Sequence, residues 1–243
     1  MLIHLQIPKT STTSISACMR EVYGERFRQF KLLDDVTAEG DVVVLRAGQS
    51  ATATCEAFLR EAAVKFDAIS VMAPFGAHHL VGGGPHPYVT FLRKPDSRCV
   101  SFWNMQCEQA AKGMSDMAYL LESGYDFDAM LRHGPCLSIR NEQTRMLSGS
   151  TRIELTELDF EAACANLEEH FPRVGFVERH EASVAEIARH FRWRVTPAKQ
   201  LNIGPAHPKR PLTEAQLEFL QETNAYDARL YEWAWKRFSP YFL

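Results

Sequence analysis

The sequence predicts an α/β fold, a mainly parallel sheet flanked by helices, and two observations predict it. The β-type runs are continuous apolar stretches, not alternating ones, and helical patterns separate several of them. A strand covered on both faces has no polar side, so a parallel sheet reads as unbroken hydrophobic runs with helices between them.

The elements follow in order. Leu2–Ile7 is a short buried strand, and Thr13–Tyr23 is the helix after a Ser/Thr-rich turn. Asp41–Arg46 holds Val42-Val43-Val44-Leu45 and forms the second strand. Thr54–Phe66 carries Phe58, Ala62 and Phe66 at helical spacing. Ala68–Ala73 and Tyr88–Leu92 are the third and fourth strands, the latter bounded by Gly82-Gly83-Gly84-Pro85 and by Pro95. The second half is more helical, with helices over Asp96–Ala111, Met114–Ser123, Phe127–Arg132, Asn141–Leu147 and Phe160–His170. Val174–Val177 returns as a strand, and Ala182–Phe191 is helical. The last helix opens at Thr213, with Gln216 at capping-box spacing. Leu217, Leu220, Leu230, Tyr231, Ala234 and Phe238 form its apolar stripe.

With 243 residues and no repeat, low-complexity tract or Pro/Gly/Ser linker, the chain reads as one domain over 1–243. Its 46% hydrophobic and 23% charged residues are ordinary for a globular chain and argue against disorder. The 27 Lys+Arg against 30 Asp+Glu give a net charge of -3, which argues against nucleic acid held by bulk charge. No apolar run approaches the roughly 18 residues of a membrane span. Met1–Ile7 is apolar but lacks the basic flank and small-residue cleavage site of a signal peptide, so a cytoplasmic protein is expected. The six cysteines (18, 55, 99, 107, 136 and 164) are scattered without a C-x-x-C, so neither a disulfide framework nor a zinc site is expected.

Two segments carry chemistry. Ile7-Pro8-Lys9-Thr10-Ser11-Thr12-Thr13-Ser14 joins the first strand to the first helix. Such a turn is an anion site: free backbone N–H groups and the positive helix end point at the ligand. Lys9 adds a movable charge, and Thr10, Thr12, Thr13 and Ser14 add hydroxyls. A polar helix cap with a surface lysine reads equally well from the local pattern. The G-x-x-x-x-G-K-[ST] loop of ordinary ATPases and GTPases is not present. The second segment, Phe91 to Trp103, also leaves a strand and opens a helix, with Pro95 suited to its first turn. Arg93, Arg98 and Ser101 there can bind a second phosphate, or the arginines can belong to a salt-bridged helix start.

Together the two segments resemble the two nucleotide-binding motifs of sulfotransferases that use 3′-phosphoadenosine 5′-phosphosulfate (PAPS). In that family the first motif reads I-P-K-T-x-[GS]-T-S and the second L-R-x-P-x-x-R-x-x-S. The likeness is to the carbohydrate type, including heparan 2-O-sulfotransferases and small bacterial relatives. It extends to Asn141–Gly149, to Leu167–Phe171 followed by Val174–Arg179, and to Asn224, Asp227, Leu230 and Tyr231. Matching blocks run from residue 2 to about 238, and Glu25–Asp67 is the least similar stretch.

The resemblance implies a P-loop, nucleotide-kinase-like sulfotransferase fold and transfer of a sulfuryl group from PAPS to an acceptor hydroxyl. The acceptor is a carbohydrate, a lipid or a small molecule, the product is 3′-phosphoadenosine 5′-phosphate (PAP), and no metal is needed. It implies that Lys9 stabilises the leaving phosphate. Thr10, Ser11, Thr12, Thr13 and Ser14 would surround the 5′-phosphate. Arg93 and Ser101 would bind the 3′-phosphate, with Lys209 or Arg210 from a late basic loop over Asn202–Arg210 closing on it. Thr12 stands where many relatives have Gly, which restricts how closely the loop can wrap.

The acceptor proton needs a base. In relatives this is often a His in a Gly-His segment after the third strand, where this chain has Met72. His78, after Pro74-Phe75-Gly76, matches a second histidine of bacterial relatives; His79 is its alternative and Glu108 a carboxylate candidate. With no base, the chain would bind PAPS or PAP without turnover; a small-molecule kinase on the same core is a further alternative. Gly82-Gly83-Gly84 reads as a connection, the C-terminal aromatics as core, and His4 as structural.

Overall fold

The structure is a computed structural model that describes residues 1–32, 38–39, 42–45, 60–62, 64–81, 86–113, 118–133, 136–195 and 212–242. Its strands are β1 (Leu2–Leu5), β2 (Phe27–Leu32), β3 (Ala38–Glu39), β4 (Val42–Leu45), β5 (Ala68–Met72), β6 (Tyr88–Leu92) and β7 (Arg173–Phe176). They form one sheet in the order β3-β4-β2-β5-β1-β6-β7. Every pairing from β4 to β7 is parallel, and the two-residue β3 lies antiparallel to β4 on the edge. The α/β fold with a mainly parallel, helix-flanked sheet is therefore present.

Ten labelled helices connect and cover the described strands: α1 (Thr12–Tyr23), α2 (Ala77–Val81), α3 (Pro95–Ala111), α4 (Ala118–Glu122), α5 (Phe127–His133), α6 (Glu142–Ser148), α7 (Glu157–His170), α8 (His180–Phe191), α9 (Glu214–Thr223) and α10 (Ala225–Phe238). Alternation of side chains along the strands divides the core between the two sheet faces. Ile3, Leu5, Tyr88 and Leu92 join Met146 and Leu147 of α6, Ala163 and Leu167 of α7, and Leu230, Ala234 and Phe238 of α10. Leu2, Val89 and Phe91 face the other way, onto Ile15 and Met19 of α1 and Val184 and Ile187 of α8. A third cluster is built by α3, α4, α5 and α9 around Phe102, Trp103, Leu120, Phe127, Met130 and Leu220, with no strand residue among those described. This helical layer starts where β6 ends.

Three expectations change. β2 lies inside the sheet, between β4 and β5, where no strand was anticipated. Phe27 and Phe30 are buried, while Gln29 serves a polar core contact by donating to Gln6 at 3.3 Å. The final helix is two helices. Its capping box at Thr213 forms as expected, with Gln216 N–H donating to Thr213 Oγ1 at 3.3 Å. The break falls at Asn224, whose amide donates to the Ile139 carbonyl at 2.8 Å and accepts from Asn141 N–H at 3.0 Å. Finally, α7 begins at Glu157, three residues before the anticipated Phe160, because the Asp159 carboxylate accepts from Thr156 N–H at 2.8 Å and caps the first turn. The glycine run Gly82–Gly84, residues 114–117 and most of the helix anticipated over Thr54–Phe66 lie outside the described residues. No helix among the described residues is long and apolar enough to cross a membrane.

Candidate functional site: two loops at the C-terminal sheet edge

Parallel strands end together, so the loops after β5, β1 and β6 emerge side by side. β1 leads to α1 on one face, while the β5 connection leads to Val81 on the other. Neighbouring strands that send their chains to opposite faces leave a crevice at their C-terminal ends, where open α/β sheets bind ligands.

The loop after β1 is held from within. Thr10 Oγ1 and Thr12 Oγ1 both donate to the Ile7 carbonyl, at 2.8 and 3.0 Å. Those two hydroxyls are engaged inside the loop, so what the segment offers a ligand is mainly backbone. Lys9 and Ser11 have positive φ, 68° and 62°. Left-handed Ser11 followed by helical Thr12 is the change of hand that turns successive N–H groups toward one concavity. The first-turn N–H groups of Thr12 and Thr13 have no intrahelical acceptor. Ser11 Oγ is buried and has no hydrogen-bond partner, so a polar group placed in the concavity would satisfy it. Thr13 is exposed and Ser14 buried.

Lys9 itself is half-buried. Burial lowers its pKa, the Glu108 carboxylate works to raise it, and the Arg93 guanidinium works to lower it further. The second segment therefore stands next to the first. Arg93 Nη1 donates to the Lys9 carbonyl at 3.2 Å, and Arg93 Nε donates to Ser97 Oγ at 3.0 Å. Burial also lowers the Arg93 pKa, which Glu178 partly offsets. Ser97 was missed in the sequence, although its place four residues after Arg93 is the available signal.

Arg98 does not join them. It is fully buried, with Nη1 on the Glu142 carboxylate and Nη2 donating to the Ser138 carbonyl at 2.7 Å. Of the two readings of this segment, Arg98 follows the salt-bridged one. Ser97, Ser101, Asn104 and Glu108 are half-exposed at spacings of four, three and four, so they share one face of α3. That face begins at Arg93 and ends at the carboxylate whose charge reaches Lys9.

His78 belongs to a different neighbourhood. Its Nδ1 lies 3.0 Å from Tyr88 Oη, and its backbone N–H donates to the same oxygen at 2.9 Å. Tyr88 opens β6, and Arg93 follows the other end of that strand. The rings of Phe75, His79 and His170 pack around His78 with centroids at 5.0, 3.9 and 5.1 Å. Burial pushes the His78 pKa down to about 4, helped by His79, His170 and His86 and opposed by Glu169. His79 is exposed beside it. Met72 ends β5, half-buried. Arg210 and Lys209 lie outside the described residues. No protein-family model matches this chain, and neither does any curated protein.

Proposed function

We propose that this chain transfers a sulfuryl group from PAPS to an acceptor hydroxyl of a carbohydrate, lipid or small molecule. The observation that supports this best is the hydrogen bond from Arg93 to the Lys9 carbonyl, which brings the two candidate loops against each other. The unpartnered Ser11 Oγ fits a phosphate there. In this reading Lys9 and the N–H groups of Thr12 and Thr13 hold the 5′-phosphosulfate, and Arg93 with Ser101 holds the 3′-phosphate. The acceptor oxygen attacks sulfur, and the bond from sulfur to the 5′-phosphate oxygen breaks. Its electron pair leaves on PAP, where Lys9 stabilises the new charge. The acceptor proton passes to Glu108, the carboxylate on the α3 face whose charge acts on Lys9. That assignment is preferred over His78, whose ring is engaged with Tyr88.

The test compares thermal unfolding with PAP and with adenosine 5′-phosphate (AMP), in wild type and Arg93→Ala. A ligand at about 100 times its Kd stabilises by ~2.7 kcal/mol, or about 5–10 °C in Tm for a chain of this size. A PAP-specific rise that shrinks in Arg93→Ala, followed by labelled-sulfate transfer in an acceptor screen, supports the reading. No response to PAP removes it, and a response to ATP with magnesium instead would put a kinase in its place.

A further inference from the structure

Arg93 is gripped by its backbone as well as by its side chain. Gln143 Oε1 accepts from Arg93 N–H at 2.9 Å, and Gln143 Nε2 donates to the Arg93 carbonyl, also at 2.9 Å. One side-chain amide thus satisfies both backbone groups of one residue, as a neighbouring strand would. Gln143 is itself held. Its backbone N–H donates to Asp227 Oδ2 at 3.1 Å, and Thr144 donates to Asp227 Oδ1 through N–H at 2.7 Å and Oγ1 at 2.8 Å. Asn141 Oδ1 accepts from Asp227 N–H at 3.0 Å, closing the contact in both directions. Asp227 is fully buried, and its carboxylate caps the N-terminus of α6. The next residue along is fixed from the other side. Lys94 N–H donates to Glu178 Oε1 at 2.9 Å, while Glu178 Oε2 accepts from Tyr231 Oη at 3.0 Å.

We propose that Gln143 is a positioning residue for Arg93, and that selection of a 3′-phosphorylated nucleotide depends on it. The inference rests on the nucleotide reading above. It gives the segments around Asn141–Arg145 and Asn224–Asp227 a role that the transfer chemistry left open: they form the scaffold of the nucleotide site, not an acceptor surface. The guanidinium can reach Ser97 and the Lys9 carbonyl together only from a fixed backbone. An arginine on a free strand end has several rotatable bonds and a wandering anchor, and loses much of the gain from a two-point contact.

The experiment uses the full chain with Gln143→Met, close in size but without the amide, and Gln143→Asn, which keeps the amide one methylene too short to touch both groups. Dissociation constants for PAP and AMP are measured for each, alone and combined with Arg93→Ala. The expected result is a PAP:AMP preference at least tenfold smaller in Gln143→Met, with AMP binding changed less than threefold. In the Arg93→Ala background Gln143→Met should cause no further loss of preference, because the two act as one unit. A residue that merely stabilises the fold would weaken both nucleotides alike. A second readout is independent of any nucleotide: hydrogen exchange of the Arg93 amide, followed by NMR. It should be slow in wild type and at least tenfold faster in either variant, with Val89–Phe91 unchanged. If wild type does not prefer PAP, the nucleotide reading fails and the exchange result alone decides whether Gln143 holds Arg93. An unaltered preference in a folded variant, or Arg93 exchange that does not respond, overturns the proposal.

Discussion

The buried pair Arg98–Glu142 allows a test in which stability and ligand binding should separate. Arg98 has no solvent exposure and Glu142 only 8%. Glu142→Leu leaves a guanidinium in the interior with one remaining strong acceptor, the Ser138 carbonyl at 2.7 Å. Removing one partner of a buried pair costs about 3–5 kcal/mol, mostly as the desolvation penalty of the charge left behind. The sliver of exposure at Glu142 lets water approach, so the lower end applies, and a loss of ~3 kcal/mol corresponds to about 6–12 °C in Tm. Arg98→Met with Glu142→Leu removes both charges of the pair, at the cost of orphaning the Ser138 carbonyl (about 1–3 kcal/mol, offset in part by new apolar packing) and of taking the Glu142 charge from near Arg145 and the Arg98 charge from near Asp227. The double variant should therefore be more stable than Glu142→Leu alone. Urea unfolding of the three proteins measures this, and PAP titration of the double variant measures the ligand site. If the double variant is no more stable than the single one, the charge-burial account is wrong. If it folds but no longer binds PAP while wild type does, and exchange of the Arg93 amide shows that Gln143 still holds Arg93, Arg98 belongs to the ligand site after all.

The remaining predictions concern the core, the base and the sheet. His4 is buried against Ser70 Oγ at 2.6 Å, and burial pushes its pKa from the ordinary 6.5 down to about 3. The unfolded chain binds that proton first, so stability from this group is complete above pH 6.5 and falls toward pH 3, by about 2 kcal/mol at pH 5. His4→Gln should flatten that part of the acid limb in urea unfolding, and an unchanged slope would count against the assignment. Glu108→Gln should lower kcat for sulfuryl transfer about 100-fold or more, as loss of a general base does, with PAP binding kept within about threefold. His78→Asn should lower kcat less than about tenfold on the same scale, and the reverse ranking would move the base to His78. Gly175 faces Phe91 across the β6–β7 pairing, where an added Cβ would stand 2.5 Å from the ring. Gly175→Ala should cost about 1–3 kcal/mol by overpacking, and a neutral result in urea unfolding would mean the two strands part easily.

What the sequence made legible is what local pattern controls. Val42–Leu45 is apolar throughout, Ala68–Met72 and Tyr88–Leu92 are apolar but for Ser70 and Thr90, and each is a strand. Thr213 and Gln216 lie three residues apart, and they cap a helix. Both segments with anion-binding signatures lead from strands into helices, as their spacing required. β2 was hidden because Arg28, Gln29 and Lys31 interrupt its apolar residues, and only the sheet shows that Gln29 has Gln6 to meet. The break at Asn224 was hidden because its partners, Ile139 and Asn141, lie more than 80 positions away. Distance along the chain also concealed the pairing of Arg98 with Glu142 and of Arg93 with Gln143, 44 and 50 residues apart. A lone Arg or Gln on a helix does not announce whether it faces a ligand, a carboxylate or another residue's backbone.

Thr12 shows how placement can remove an apparent conflict. A β-branched residue at a position often held by Gly looked like an obstacle to wrapping the first loop. Yet Thr12 is the first helical residue, and the positive φ angles fall on Lys9 and Ser11. A non-glycine residue in the left-handed region costs roughly 1–2 kcal/mol, so the loop carries strain at two positions. It is held there by the two threonine hydroxyls on the Ile7 carbonyl and by Arg93 on the Lys9 carbonyl. The first pair fixes the loop from inside, and the last ties it to the neighbouring strand end. Strain of this kind persists where the surroundings over-determine it, and such positions cluster at binding sites. Here it falls on Lys9 and Ser11, the residues on either side of Thr10 and next to the free first-turn N–H groups, which places the cost of the loop where binding an anion would recover it.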